Sequence, residues 1–244
     1  MAAEKRLVKN GKKRLVKISI VIPIINELNC IQTTIEHVKK LAVDEVLFVD
    51  GGSTDGTAEF ITKAALPLIS SRPGRGHQLR AGATQATGDA LLFLHADNWL
   101  HPDSIRQLRE LGSRQPGFWG GFKQKIEHPH RTYRWLEWGN QFRAGHLGLV
   151  YGDQGLFVSR NYYDKIGGMP DQPIMEDYEI SRRLKRIAAP ILLPGPHYVS
   201  ARRWKQYGVL RQTLRNWTLV LRYRWGTSAE QLNANYRRHD HRTE

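Results

Sequence analysis

The chain has 244 residues, and 37 Lys plus Arg against 23 Asp plus Glu give it a formal charge of +14 and an isoelectric point near 10.1. That length suits one domain with extensions, and 40% hydrophobic residues with seven Trp, nine Tyr and seven Phe exclude disordered, collagen-like and low-complexity classes. The single Cys30 rules out an internal disulfide and a cysteine-built zinc cluster, and it fits a reducing, cytoplasmic setting. No stretch approaches the roughly 18 consecutive apolar residues of a membrane-spanning helix. The basic N-terminus, with Lys5, Arg6, Lys9, Lys12, Lys13, Arg14 and Lys17, leads into an apolar run broken by Pro23, Asn26 and Glu27, which excludes a secretory signal.

The first predicted element is a strand at Ile18 to Ile24, a β-branched run suited to burial on both faces. Ile31, Ile35, Val38 and Leu41 recur at helical spacing and predict a covering helix. Glu45 to Asp50 predicts a second buried strand, Gly51 to Gly56 a tight loop, and Thr57 to Ala65 a second helix. A short strand at Pro67 to Ser71, a helix carrying Leu79, Ala83 and Ala86, and a strand at Asp89 to Leu94 complete a βα alternation. Beyond Pro102 the pattern is less regular, with strands expected at Trp119 to Ile126 and Gly155 to Ser159 and helices at Thr132 to Arg143 and Asp177 to Ile187. From Arg202 onward ten Lys or Arg face three acids, with a helix around Leu210 to Tyr223 and a capping box at Ser228-Ala229-Glu230-Gln231 opening a last one. No internal repeat or Ser/Gly linker marks a hinge.

This order predicts an α/β fold, a mostly parallel central sheet flanked by helices, with a C-terminal helical extension. Ligands of such sheets bind beyond the carboxyl ends of the strands. There the sequence places Pro23-Ile24-Ile25-Asn26-Glu27, Asp50 and His95-Ala96-Asp97, which should open on one crevice. The turn after the first strand has no glycines, and Gly74-Arg75-Gly76 lacks a third, so a dinucleotide fingerprint is absent. A Gly-Lys-Ser/Thr loop and a Gly-x-Ser-x-Gly elbow are absent too. Carboxylates at strand ends remain, a pattern that suits reading a base or ribose and holding a hard divalent ion on a diphosphate.

The blocks IVIPIINE, VDGGSTDGT, ATGDALLFLHAD, GDQGLFVSR and MEDYEISRRLKR, in this order over residues 17–205, resemble family-2 glycosyltransferases of the GT-A fold. Within that family the chain resembles a small bacterial group found beside radical-SAM genes and linked to arsenosugar biosynthesis. By charge and element order a basic tail at 1–16 precedes, and a basic helical extension at 201–244 follows, a domain at 17–200 that the resemblance reads as the transferase. The domain then divides into a nucleotide-binding half at 17–101 and an acceptor half at 102–200. The resemblance implies a nucleoside-diphosphate sugar donor, with a uridine bias, met by Pro23, Asn26, Glu27, Asp50, Gly52, Arg75, His95, Ala96 and Asp97. It implies Mn²⁺ or Mg²⁺ on the donor phosphates, held by Asp97 as the last acid of an Asp-x-Asp motif whose first position is His95 here, with His197 as a late ligand. Gly152, Asp153, Gln154, Glu176, Arg203 and Trp204 fall on the acceptor and diphosphate side. The resemblance also assigns to Asp177 the base that takes the acceptor proton in an inverting transfer.

Each of these residues also has a plainer structural reading. Asn26 and Glu27 can cap a helix, Asp50 can hold a turn, and Glu176 and Asp177 can be favourable first-turn charges. Two other classes compete. A nucleic-acid or anionic-membrane module would use the charge and the aromatic residues of the tail, such as Trp204, Trp217, Tyr223 and Trp225. A sugar nucleotidyltransferase would need a Gly- and Arg-rich loop after the first strand, which is missing. The expected acceptor is a small molecule or lipid-linked, with peripheral contact to an anionic inner membrane face and no nucleic acid as partner.

Overall fold

The computed structural model describes residues 15–201, 204–205 and 208–240. The basic segment 1–14 and Arg202 and Arg203 lie outside the described residues. β1 (Ile18–Ile24) is buried at all seven positions and lies between β2 (Glu45–Asp50) and β4 (Ala90–Phe93). β3 (Leu68–Ser70) extends the sheet beyond β2, and all pairings among these four strands are parallel. The connections are α1 (Leu28–Lys39), α2 (Thr57–Lys63) and α3 (Arg75–Gln85).

Alternation along the strands splits the core into two layers. Ile18, Ile20, Ile22 and Ile24 of β1, with Leu92 of β4, pack on Ile31, Ile35 and Val38 of α1. Val21, Val49, Leu91 and Phe93 face the other way, onto Leu79 and Ala83 of α3. Each such large side chain contributes about 1.5–3 kcal/mol by leaving water, which explains why a continuous β-branched run becomes the central strand.

The second half consists of β5 (Asn98–Leu100), α4 (Pro102–Arg114), β6 (Trp119–Ile126), α5 (Thr132–Leu147), β7 (Phe157–Ser159), α6 (Arg160–Lys165), α7 (Glu176–Leu184) and β8 (Ile191–Val199). The sheet order among the described residues is β3-β2-β1-β4-β7-β6-β8-β5. β7 enters antiparallel to β4 and β6, β8 runs parallel to β6, and β5 closes the edge antiparallel to β8. The expected α/β class is observed, and every antiparallel pairing involves a strand of the less regular half. The sequence reading names no element at β5, α4, α6 or β8, although α4 has Pro102 and Asp103 in its first turn and Ile105, Leu108 and Leu111 at helical spacing. In β8 the run Pro194-Gly195-Pro196 reads as a turn, yet it is absorbed by a bulge. Between the pairs Phe122–Leu193 and Gln124–His197, β6 has only Lys123 where β8 has three residues.

The C-terminal extension forms α8 (Val209–Arg224) and α9 (Ala229–Asp240), the latter opened by the expected capping box, in which the Gln231 N–H donates to Ser228 Oγ at 3.2 Å. It is not a free appendage. Ala229 and Leu232 are buried against Ile174, Met175 and Tyr178, so the extension covers the entry to α7. No helix among the described residues is long and apolar enough to cross a membrane.

Candidate active site

The loops after β1 and β2 are stitched together at the carboxyl edge of the sheet. Asp50, only 8% exposed, accepts hydrogen bonds from the Gly52 and Ser53 N–H groups at 3.0 and 3.1 Å and from the Ser53 hydroxyl. Asn26, in the left-handed region at φ 52°, accepts from Thr54 N–H at 2.8 Å and donates its own N–H to Ser53 Oγ. Gly52 adopts φ +95° and has open space where a side chain would stand, so a ligand can approach its backbone. Pro23 is buried within β1. Glu27 occupies the position preceding α1 but makes no capping bond. Asp55 does that work by accepting from Leu28 N–H at 3.0 Å, and Glu27 Oε2 takes the Cys30 thiol at 3.1 Å. Gln78, unremarked in the sequence, donates from Nε2 to the Ile24 and Val49 carbonyls at 2.8 Å each and so locks the ends of β1 and β2.

Beyond β4, Ala96 is buried while His95 and Asp97 are partly exposed. Gly152 lies against the His95 ring: a Cβ there would stand 2.2 Å from His95 Nε2, so any other residue would displace the ring. His197 is fully buried. Its Nδ1 bonds the Asp153 carbonyl at 2.8 Å, while its Nε2 has no hydrogen-bond partner among the described residues. Burial pushes its pKa down to about 4 against the opposing pull of the Asp153 carbonyl and the Asp97 charge, so the ring is neutral. A neutral imidazole oriented through Nδ1, with a bare Nε2 and an aspartate near it, fits a divalent ion, because such ligands are fixed by the bond at the other nitrogen. Among the described residues no group of three or more His, Cys, Asp or Glu side chains is assembled for a metal. Asp97 and His197 would therefore share the ion with oxygens of a bound diphosphate, as suits Mg²⁺ or Mn²⁺.

The third part is the 3₁₀ turn Gly152–Gln154 facing the start of α7. Met175 turns the chain into that helix at φ 65°, a strained value for a non-glycine residue. Asp177 Oδ2 accepts from the Gly152 N–H at 3.1 Å and Oδ1 from the Tyr178 N–H at 2.7 Å. The Asp153 carboxyl takes Gln124 Nε2 at 3.2 Å with Arg143 at 4.0 Å. Burial raises its pKa despite Arg143, and Asp177 adds to the rise. Buried Gln154 accepts from Arg143 at 3.2 Å, and Arg143 itself lies 3.5 Å over the Tyr151 ring. Gln124 was legible in principle: in Phe122-Lys123-Gln124-Lys125-Ile126 it falls on the buried phase of the strand.

Two placements depart from the sequence reading. Arg75 and Glu176, read on opposite sides of the crevice, form one ion pair at 2.9 Å, and Glu176 is 1% exposed, so it is shielded from an acceptor and joins α3 to α7. Trp204, read on the acceptor side, packs edge-on to Tyr133 with ring centroids 6.2 Å apart, in a cluster with Ile126 and Ala201. A cavity of about 470 Å³ lined by Gln172, Tyr178, Glu179, Arg182, Arg183 and Tyr223 lies beside α7 and α8, apart from these carboxylates.

Burial pushes the Glu176 carboxyl up, Arg75 pulls it down and Asp177 pushes it up again, leaving it at about 7. An unfolded glutamate titrates near 4.5. Between these values the folded chain keeps a proton that the unfolded chain has released. The stability that this group contributes is complete below about 4.5 and is lost as pH rises through about 7. Glu176→Gln, which cannot titrate, should flatten the fall in unfolding free energy between pH 5 and pH 8 measured by urea denaturation. An unchanged slope would show that Glu176 is not the group responsible.

A family model described as glycosyl transferase family 2 matches residues 19–156. Glucosyl-3-phosphoglycerate synthase of Mycolicibacterium smegmatis is 33% identical over 107 residues, 39% of this chain and 35% of that protein. Undecaprenyl-phosphate 4-deoxy-4-formamido-L-arabinose transferase of Sodalis glossinidius is 31% identical over 155 residues, 58% of this chain and 48% of that protein. The chain thus spans between about a third and a half of the length of these two curated relatives. Among solved structures, S. aureus TarS 1–349 in complex with UDP aligns with TM-score 0.60 at 18% identity, over 75% of this chain and 60% of that one. Glucosyl-3-phosphoglycerate synthase from Mycobacterium tuberculosis with Mn²⁺ and UDP-glucose aligns with TM-score 0.53 at 22% identity, over 76% and 69%. At such identities these two likenesses speak for the fold. The family model, however, covers more than half of the chain and both of its loop-bearing strand ends at β1 and β2, and the chain belongs to glycosyl transferase family 2.

Proposed function

We propose that the protein moves a sugar from a nucleoside-diphosphate sugar, with uridine as the favoured base, to an acceptor hydroxyl with inversion. The observation that carries this reading is the Asp177 carboxylate, held by the Gly152 N–H at 3.1 Å on the same turn whose next residue orients His197. A proton acceptor and a diphosphate-side ligand are thereby tied to one short segment. Asn26, Glu27, Asp50 and Gly52 receive the nucleotide at the ends of β1 and β2. Asp97 and His197 hold the divalent ion, which when bound offsets charge on the diphosphate. Asp177 takes the acceptor proton, the freed oxygen forms its bond to the anomeric carbon from the face opposite the leaving group, and the bond to the diphosphate breaks with its electron pair. A single displacement inverts the anomer.

The relatives' names include an acceptor that is a small phosphorylated acid and one that is a lipid phosphate, which supports a small or lipid-linked acceptor in this reading. The likeness to the radical-SAM-associated, arsenosugar-linked group belongs to this proposal, as does a cytoplasmic site of action. The test is a panel of nucleoside-diphosphate sugars with and without Mn²⁺, followed by NMR of the product anomer. One donor bound in a metal-dependent way and giving an inverted product is expected. Retention of configuration, or no donor bound by the folded protein, would overturn the reading.

A further inference from the structure

α8 has apolar residues on two sides, and one of the two sets faces solvent. Leu210, Leu214, Trp217, Leu221 and Trp225 are all exposed, Trp225 to 81%. Their spacings of four, three, four and four place them within an arc of roughly 80° at 100° per residue. The opposite side is already used, burying Gln212 and packing Leu219, Val220 and Tyr223 on the protein. α5 carries a second exposed set, Trp135, Trp138 and Phe142. The starts of the two helices meet at one apolar cluster, in which Tyr133 and Leu136 of α5 join Val209 of α8. Leu149 and Tyr151 beyond the end of α5 share another with Leu219 and Val220.

Exposed aromatic and leucine residues on this scale mark an interaction surface rather than incidental exposure. The surrounding charge selects the partner. From residue 180 to residue 229 there is no Asp or Glu, and the same 50 residues hold 11 Lys or Arg. Arg211, Arg222 and Arg224 of α8 are exposed. An apolar stripe bordered by arginine and ended by tryptophan is the pattern of a helix lying in the plane of an anionic bilayer, its leucines among the acyl chains and its tryptophan rings at headgroup level. The leucines offer nothing to a nucleic acid, which takes aromatic stacking and cations. A second copy of the chain would bring like charges together. We propose that α8 and the adjoining face of α5 form a docking surface for an anionic phospholipid bilayer. This rests on exposure and charge, and it stands whether or not the transferase reading does.

The test uses the full chain with vesicles of phosphatidylcholine containing about 30% phosphatidylglycerol, and with phosphatidylcholine alone, by co-sedimentation and by tryptophan quenching with brominated lipid. Salt-sensitive binding to the anionic vesicles alone is expected. The double variant Trp217→Ala/Trp225→Ala should bind them at least about tenfold more weakly with an unchanged thermal midpoint, since both rings are exposed and each contributes only by leaving water on the membrane. Arg211→Ala/Arg222→Ala should weaken binding most at low salt. Equal vesicle binding by the tryptophan variant overturns the proposal, as does the absence of binding. Loss in that variant of single-stranded RNA binding, or of self-association seen by sedimentation velocity, without vesicle binding, overturns it in favour of those partners.

Discussion

Asp177→Asn should lower kcat for sugar transfer by about 10³-fold while leaving the dissociation constant for nucleoside diphosphate within about twofold, because general-base catalysis contributes roughly 10²–10⁴. The substitution is close to isosteric. The asparagine oxygen can still accept from the Gly152 N–H, now at 3.1 Å, while Nδ2 replaces the oxygen that takes the Tyr178 N–H at 2.7 Å, so the thermal midpoint of the variant is measured beside kcat to separate the lost basicity from the lost bond. A loss confined to kcat separates a proton acceptor from a residue that merely decorates a helix N-terminus. In the latter case the substitution would cost a few tenths of a kcal/mol of stability and leave turnover intact. A kcat within threefold of the wild type would transfer the base to another group.

Asp97→Asn should abolish the increment that Mn²⁺ adds to donor affinity, weakening metal-dependent binding by at least about 10²-fold, or about 2.7 kcal/mol. With Asp97 and His197 as the two protein ligands, removing the one that carries charge leaves a neutral imidazole, which binds a hard ion poorly by itself. Isothermal titration of UDP with and without Mn²⁺ on both proteins provides the comparison. Identical metal dependence in the variant would place the ion elsewhere. Since His197 is reached from the far end of β8 and Asp97 from the end of β4, that result would also remove the reason for the bare Nε2 of His197.

The parts of the fold that the sequence announces are those where one physical signal dominates. β1, β2 and β6 begin and end where hydrophobic period and turn residues say they should. β8 does not, because two prolines and a glycine mask a strand whose pairing is made by tertiary context. The strand-end acids were readable because parallel strands must present their carboxyl ends together. The Arg75–Glu176 pair was not, since nothing local connects residues a hundred positions apart, and only the packing of α3 against α7 brings them within 2.9 Å. His197 shows the same division. The resemblance offers it as a late ligand, but its complete burial, fixed Nδ1 and unanswered Nε2 come only from the fold.

The bulge opposite Lys123 has a further consequence, for insertions and deletions. His197 and Tyr198 point to opposite faces of β8, the one into the protein and the other onto Trp99 at 3.8 Å. The three residues 194–196 act as a spacer whose count decides which of the two turns inward. Removing one residue there would bring Tyr198 to the inward position that His197 now holds, and adding one would carry His197 out to the position against the Trp99 indole, although both side chains remained in the sequence. The length of this segment is thus more tightly constrained than most of its composition.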